Sequence, residues 1–178
     1  RPGTRAEIEV PPAPELPRLR PYPGSTPLSA EEAELITDAV MQETCEQWQD
    51  QEMADEPVGK AYALGADEAL VLIRSWCAAY NCEYALYRVG RKAPYEGREL
   101  RLDPVPLEGS DATGSVIYDG RSGVLSYSMR GRGIADCGES GTWRFDGQRF
   151  QLQSYRRMLR CASGNAGEWP SLWRVAEE

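Results

Sequence analysis

The chain has 178 residues, 41% of them hydrophobic, which is enough for one globular domain with its own core. Its formal charge is −8 and it contains no histidine. Net acidity argues against the continuous basic surface that nucleic-acid binding needs, and the missing imidazole rules out Ser-His or Cys-His pairs within the chain and histidine metal sites.

Eight of the 13 prolines fall in residues 1–27. They bar a helix or central strand there, so residues 1–27 read as a linker from a missing upstream segment and 28–178 as a single domain. The chain opens at Arg1 without a charged and apolar leader, as expected if a signal peptide and an upstream domain have been removed. No apolar run approaches the roughly 18 residues of a membrane span.

Ser29 followed by Glu32 has the spacing of a capping box and starts a helix expected over Ala30 to Gln49. Ala33, Ile36, Val40 and Trp48 form its docking face, with Met41 and Cys45 at the margin. Pro57 enforces its end.

Beyond Pro57 the period changes to that of strands. Ala61 to Leu64 and Leu70 to Ile73 read as two strands joined by a turn, and Tyr84 to Val89 as a third. The clearest hairpin joins Val116–Tyr118 to Val124–Met129 through Asp119-Gly120-Arg121-Ser122-Gly123. A second joins Thr142–Phe145 to Arg149–Ser154 through Asp146-Gly147, a dipeptide suited to the positive backbone angles of a tight turn. Leu172 to Val175 closes the sheet. The expected fold is α+β, one N-terminal helix packed on a disulfide-stapled antiparallel sheet or small sandwich.

Charge is unevenly spread. Twelve acids lie between Ser29 and Glu68 against Lys60 alone, whereas from Arg121 onward nine arginines face six acids. An ordinary solvated helix surface accounts for the acidic run, although the two regions could also pair within the domain or face different partners.

Five cysteines occur, Cys45, Cys77, Cys82, Cys137 and Cys161. They lack the paired C-x-x-C clusters of a zinc ribbon, so disulfides formed in the periplasm or outside the cell are the better reading. No calcium-loop pattern is present, and no metal or cofactor is expected. Gly138-Glu139-Ser140-Gly141 has the look of a serine-nucleophile loop, but without a histidine base Ser140 reads as a turn residue. Arg130 and Arg132, separated by glycines, offer an anion cradle, against the simpler reading that Arg132 pairs with Asp136. Trp143, Trp169 and Trp173 read as core residues, with Trp169 also a candidate stacking platform for a ligand.

Several stretches together resemble the domain-of-unknown-function 1176 family of bacterial secreted, cysteine-rich proteins. They are Cys77-Ala78-Ala79-Tyr80-Asn81, Arg130 to Gly138, Trp143 with Asp146-Gly147 and Phe150, Cys161, and Trp169-Pro170-x-Leu172-Trp173-Arg174. The likeness runs from about Cys45 to the end, the C-terminal part of the chain. It implies pairing of Cys45 with Cys77 and of Cys137 with Cys161. It departs from the family at Ala78-Ala79, where glycine-alanine is the rule, and at Cys82, which is extra. Cys82 is then either a buried inert thiol or a link to another chain or to the absent segment. The family brings no activity.

The expected role is a non-catalytic binding module at the bacterial cell envelope, its partner an envelope protein or glycan, with Arg130, Arg132, Ser140 and Trp169 as candidate contact residues. An inhibitor-like variant of that role rests on Ser140-Gly141 with an aromatic two positions on, which resembles the serine-glycine loops of periplasmic lysozyme inhibitors. The alternatives are a structural spacer and a carboxylate-dependent hydrolase, for which nothing selects a pair among 28 acids.

Overall fold

The computed structural model describes residues 12, 15–44, 58–100, 102, 112–162 and 165–176. It contains one α-helix, α1 (Ala30–Glu43), and nine strands in one antiparallel sheet. The strands are β1 (Val58–Ala63), β2 (Glu68–Cys77), β3 (Cys82–Gly90), β4 (Gly97–Glu99), β5 (Ala112–Asp119), β6 (Val124–Arg130), β7 (Gly138–Phe145), β8 (Phe150–Met158) and β9 (Ser171–Arg174). Their order across the sheet is β1-β2-β3-β5-β6-β7-β8-β9, with β4 pairing on β3 beside β5. The α+β architecture expected from the sequence is the one present.

Ser29 caps α1, its Oγ accepting from the Glu32 amide at 3.1 Å. Glu32 then reaches out to Arg91, which donates to both carboxylate oxygens at 2.7 and 2.9 Å and also to the backbone carbonyls of Thr26 and Gly65. This side chain ties the helix start to the end of β3. The helix stops at Glu43 and Thr44 is its C-cap, short of the expected Gln49; Cys45 and Trp48 lie outside the described residues.

The period-2 pattern of β2 explains how one sheet serves two cores. Ala69, Val71 and Ile73 face α1 and bury Ile36 and Val40, while Leu70 and Leu72 face the opposite way. Each such fully buried aliphatic side chain stabilises the fold by roughly 1.5–3 kcal/mol relative to exposure. The second cluster takes Leu86 of β3 and the inward residues of β5 to β8, among them Tyr118, Leu125, Trp143, Phe145, Leu152 and Tyr155. For residues of β2 and β8 to meet in one cluster, the sheet must curl over on itself, giving the sandwich-like form. β5 forms the corner, pairing by Ala112–Gly114 with β3 and by Ser115–Asp119 with β6. Gly114 sits at that corner with φ +154°, against the Ser128 backbone, where a side chain has no room.

Both expected turns form. The Asp119 carboxylate accepts from the Arg121 amide and the Ser122 hydroxyl, and Gly123 takes φ +66°. Asp146 Oδ1 accepts from the amides of Gln148 and Arg149 at 2.9 and 2.8 Å.

Residues 15–27, expected as part of a linker, lie against the domain where they are described. Pro17 accepts from the Ala176 amide, the Arg20 amide donates to Gln151, and Tyr22 packs on the main core with its hydroxyl donating to Gly120. No described helix is long and apolar enough to cross a membrane.

Candidate functional site

Antiparallel register gathers the sequence signals at one end of the sheet. The β2–β3 turn, the start of β5, the β6–β7 loop and the chain after β8 all lie there, because Cys77 opposes Cys82, Cys82 opposes Gly114, and Gly138 opposes both Arg130 and Met158. Two disulfides staple this end, Cys77–Cys82 and Cys137–Cys161.

The first disulfide corrects the expected pairing of Cys45 with Cys77 and removes Cys82 as a thiol. Cys77 and Cys82 are direct cross-strand partners at the hairpin end, with Cα atoms 3.9 Å apart and the turn closed by the Ala78 amide donating to Asn81 O. Cys45 lies outside the described residues.

Asn81 fastens the turn to β6. Its amide Nδ2 donates to Arg130 O at 2.8 Å and its Oδ1 accepts from the Arg130 amide at 3.1 Å. The β6–β7 loop is closed by the Gly131 amide on Cys137 O and by Arg132, whose guanidinium grips both oxygens of buried Asp136. The Arg132 guanidinium holds the Asp136 carboxyl below the usual carboxylate range. The cradle reading therefore fails for Arg132, whose charge is spent within the loop. Arg130 is exposed and has no charged partner among the described residues, and the same holds for Arg160.

Two other candidates move. Ser140 stands inside β7, opposite Ser128 and Arg156, and not in a turn or loop. Gly141 beside it is buried because the Trp143 ring lies over it; a Cβ there would sit 2.6 Å from the ring. The serine-glycine pair is thus a packing device, which removes the loop on which the inhibitor likeness rested. Trp169 is only 3% exposed, its ring over Gly138, and cannot be a stacking platform. Trp143 is fully buried, and Trp173 is the exposed one at 42%.

Sequence reasoning missed Glu139. It faces the core from β7 and is buried. Tyr127 donates to its Oε1 at 3.0 Å and Tyr155 to its Oε2 at 2.7 Å, while Arg157 on β8 stands 3.4 Å from Oε2. Burial pushes both tyrosine hydroxyls well above their ordinary value, and the Glu139 charge adds to the effect. The signal available was alternation, since Glu139, Gly141, Trp143 and Phe145 share one strand face.

Asp136, Cys137 and Cys161 bring three ligand-type atoms together, but both sulfurs are in the disulfide and both carboxylate oxygens are held by Arg132. The cluster is unsuited to a metal. Among described carboxylates with a clearly shifted pKa, all move down. Arg91 lowers Glu32, the Ser122 hydroxyl and Arg121 amide lower Asp119, and Arg132 lowers Asp136. For Asp146 burial acts upward but the Arg149 and Gln148 amides outweigh it.

Among the described residues, the exposed side chains at this end are chiefly apolar and cationic. Tyr80, Ile134 and Leu159 are 43%, 71% and 75% exposed, and each lies within three residues of a disulfide cysteine. Tyr80 rests beside Gly133.

The fold and this stapled end define a class, an α+β domain in which the described residues form a helix packed on a curled antiparallel sheet. The chain belongs to the family described as protein of unknown function (DUF1176), whose model matches residues 1–176. The match takes in the proline-rich start as well as the region from Cys45 onward. The chain is similar to an uncharacterized protein, YpfG, of Escherichia coli (strain K12), at 32% identity over 183 residues, covering 96% of this chain and 51% of that protein. It thus spans about half the length of that relative. No solved structure matches.

Proposed function

We propose that the chain is a non-catalytic binding module of the bacterial cell envelope, periplasmic or secreted, and that the stapled end is its contact surface. The carrying observation is the grouping of Tyr80, Ile134 and Leu159 with Arg130 and Arg160 around two disulfides. Exposed aliphatic and aromatic side chains beside arginine have the composition of a protein-binding hot spot. Cross-linking and the Asn81 bridge hold the loops in place beforehand, which lowers the ordering cost of binding. An envelope protein fits this chemistry better than a glycan does.

Disulfides support the oxidising compartment. The spacer role finds less support, since residues 15–27 pack on the domain instead of hanging free.

The test is capture from a non-reduced envelope extract by the native chain, by Ile134→Asp with Leu159→Asp, and by Ile117→Asp, a substitution at an exposed residue of β5. A partner held by the native chain and Ile117→Asp but lost by the double variant is expected. Equal retention by all three, or no partner at all, would contradict the proposal.

A further inference from the structure

A groove of about 1300 Å³ runs between residues 15–19 and the edge of the sheet at β9. Its floor is the outer face of β7 and β8, including Arg144, Gln153, Ser154 and Arg156. One wall is β9 and the two residues after it; the other is Glu15 to Leu19. A main-chain bond joins the walls, the Ala176 amide donating to Pro17 O at 3.0 Å, and the Arg20 amide donates to the Gln151 side chain on β8 at 3.3 Å.

Charge there runs against the chain as a whole. In a protein of net charge −8, Arg18, Arg144, Arg156 and Arg174 line this groove, and Glu15 is its one acid among the described residues. The outward positions next to it on β6 and β7 are Ser126, Ser128, Ser140 and Thr142, which carry hydroxyls and no charge. Trp173 borders the groove and is 42% exposed, but it opposes Tyr155 and so shares the core face of the sheet, with its Nε1 donating to Leu152 O at 3.1 Å.

We propose that this groove binds an anionic glycan. Guanidinium groups bond carboxylate or sulfate groups of sugars two at a time. Hydroxyl and amide side chains on the floor exchange hydrogen bonds with sugar hydroxyls. An acidic peptide fits less well, because a strand added to the edge at β9 would compete with Pro17 for the Ala176 amide. The groove's lining residues are other than those of the stapled end, so either proposal can fail alone.

The test is titration of the full chain with oligogalacturonate of about six sugars and with dextran sulfate, against neutral dextran and poly-glutamate, read by calorimetry and tryptophan emission. Saturable binding of at least one anionic glycan is expected, weakened by added salt and about tenfold or more by Arg18→Gln with Arg174→Gln. Both arginines are exposed, and unchanged thermal unfolding establishes that the variant is folded; Arg156→Gln serves as a second variant. Neutral dextran is expected not to bind. Failure of both anionic glycans to saturate overturns the proposal, as does binding that neither variant weakens. Poly-glutamate binding as tightly, with the same sensitivity to the variants, assigns the groove to acidic peptides and overturns it too. Binding lost in Ile134→Asp but kept in the arginine variants would place the glycan at the stapled end.

Discussion

Glu139→Ala is expected to cost more stability than any single surface change. The substitution leaves the hydroxyls of Tyr127 and Tyr155 without their acceptor, and both tyrosines are under 5% exposed. An unsatisfied buried polar group costs about 1–3 kcal/mol, so two of them together with the small void give a loss of roughly 3–5 kcal/mol. Arg157 adds little, because at 3.4 Å and with its side chain 37% exposed it can turn to solvent. Urea unfolding without reductant, followed by tryptophan emission, reads the loss as a lower midpoint at unchanged slope. Adding Tyr127→Phe and Tyr155→Phe removes the orphaned hydroxyls and is expected to recover about 2 kcal/mol. A cost for Glu139→Ala below about 1 kcal/mol, or no recovery in the triple variant, would refute the reasoning.

Burial raises the hydroxyl pKa values of Tyr118, Tyr127 and Tyr155, so the folded chain keeps protons that the unfolded chain releases above its ordinary tyrosine value of about 10. Their contribution is full below that pH and falls as pH rises beyond it; thermal unfolding midpoints that hold level from pH 9 to 11 would contradict this. Peptide mapping of the unreduced protein is expected to recover Cys77 joined to Cys82 and Cys137 joined to Cys161, and a Cys45–Cys77 peptide would overturn the first bond. Gly141→Ala forces a Cβ into the Trp143 ring and is expected to cost about 1–3 kcal/mol by urea unfolding, a neutral result being evidence against the packing described. Arg91→Met frees the start of α1 from the end of β3, so amide exchange should quicken in residues 30–36; unchanged exchange there would show that the helix does not depend on this link.

The elements with strong local chemistry could be read directly. Ser29 and Glu32 mark the helix start, and Asp146-Gly147 marks a turn, because each involves residues a few positions apart. Long-range placement was harder. The curl that brings β2 and β8 to one core depends on the β5 corner at Gly114, and a single glycine in a strand pattern does not say which way the chain bends. The stapling of Cys77 to Cys82 was accessible in principle. A four-residue turn over 78–81 makes the two cysteines opposite neighbours, although the register of β2 on β3 shifts between Arg74 and Cys77, which alternation alone does not announce, and the family likeness pointed Cys77 at Cys45. Ser140 was misread because Gly138-Glu139-Ser140-Gly141 looks like a loop by composition. In β7 the glycine gives space to Trp143, and the glutamate is held by two tyrosines 12 and 16 residues away. Trp169 was drawn toward a ligand by its aromatic neighbours, yet it covers Gly138.

The claim that the stapled end is the contact surface is tested most directly by photo-crosslinking in envelope extract. A benzophenone side chain is introduced in place of Ile134 or, for comparison, of Ile117, which is similarly exposed at 63% on β5. The account predicts a discrete adduct from position 134 that is absent from position 117. The same adduct from both positions, or one from position 117 alone, would contradict it.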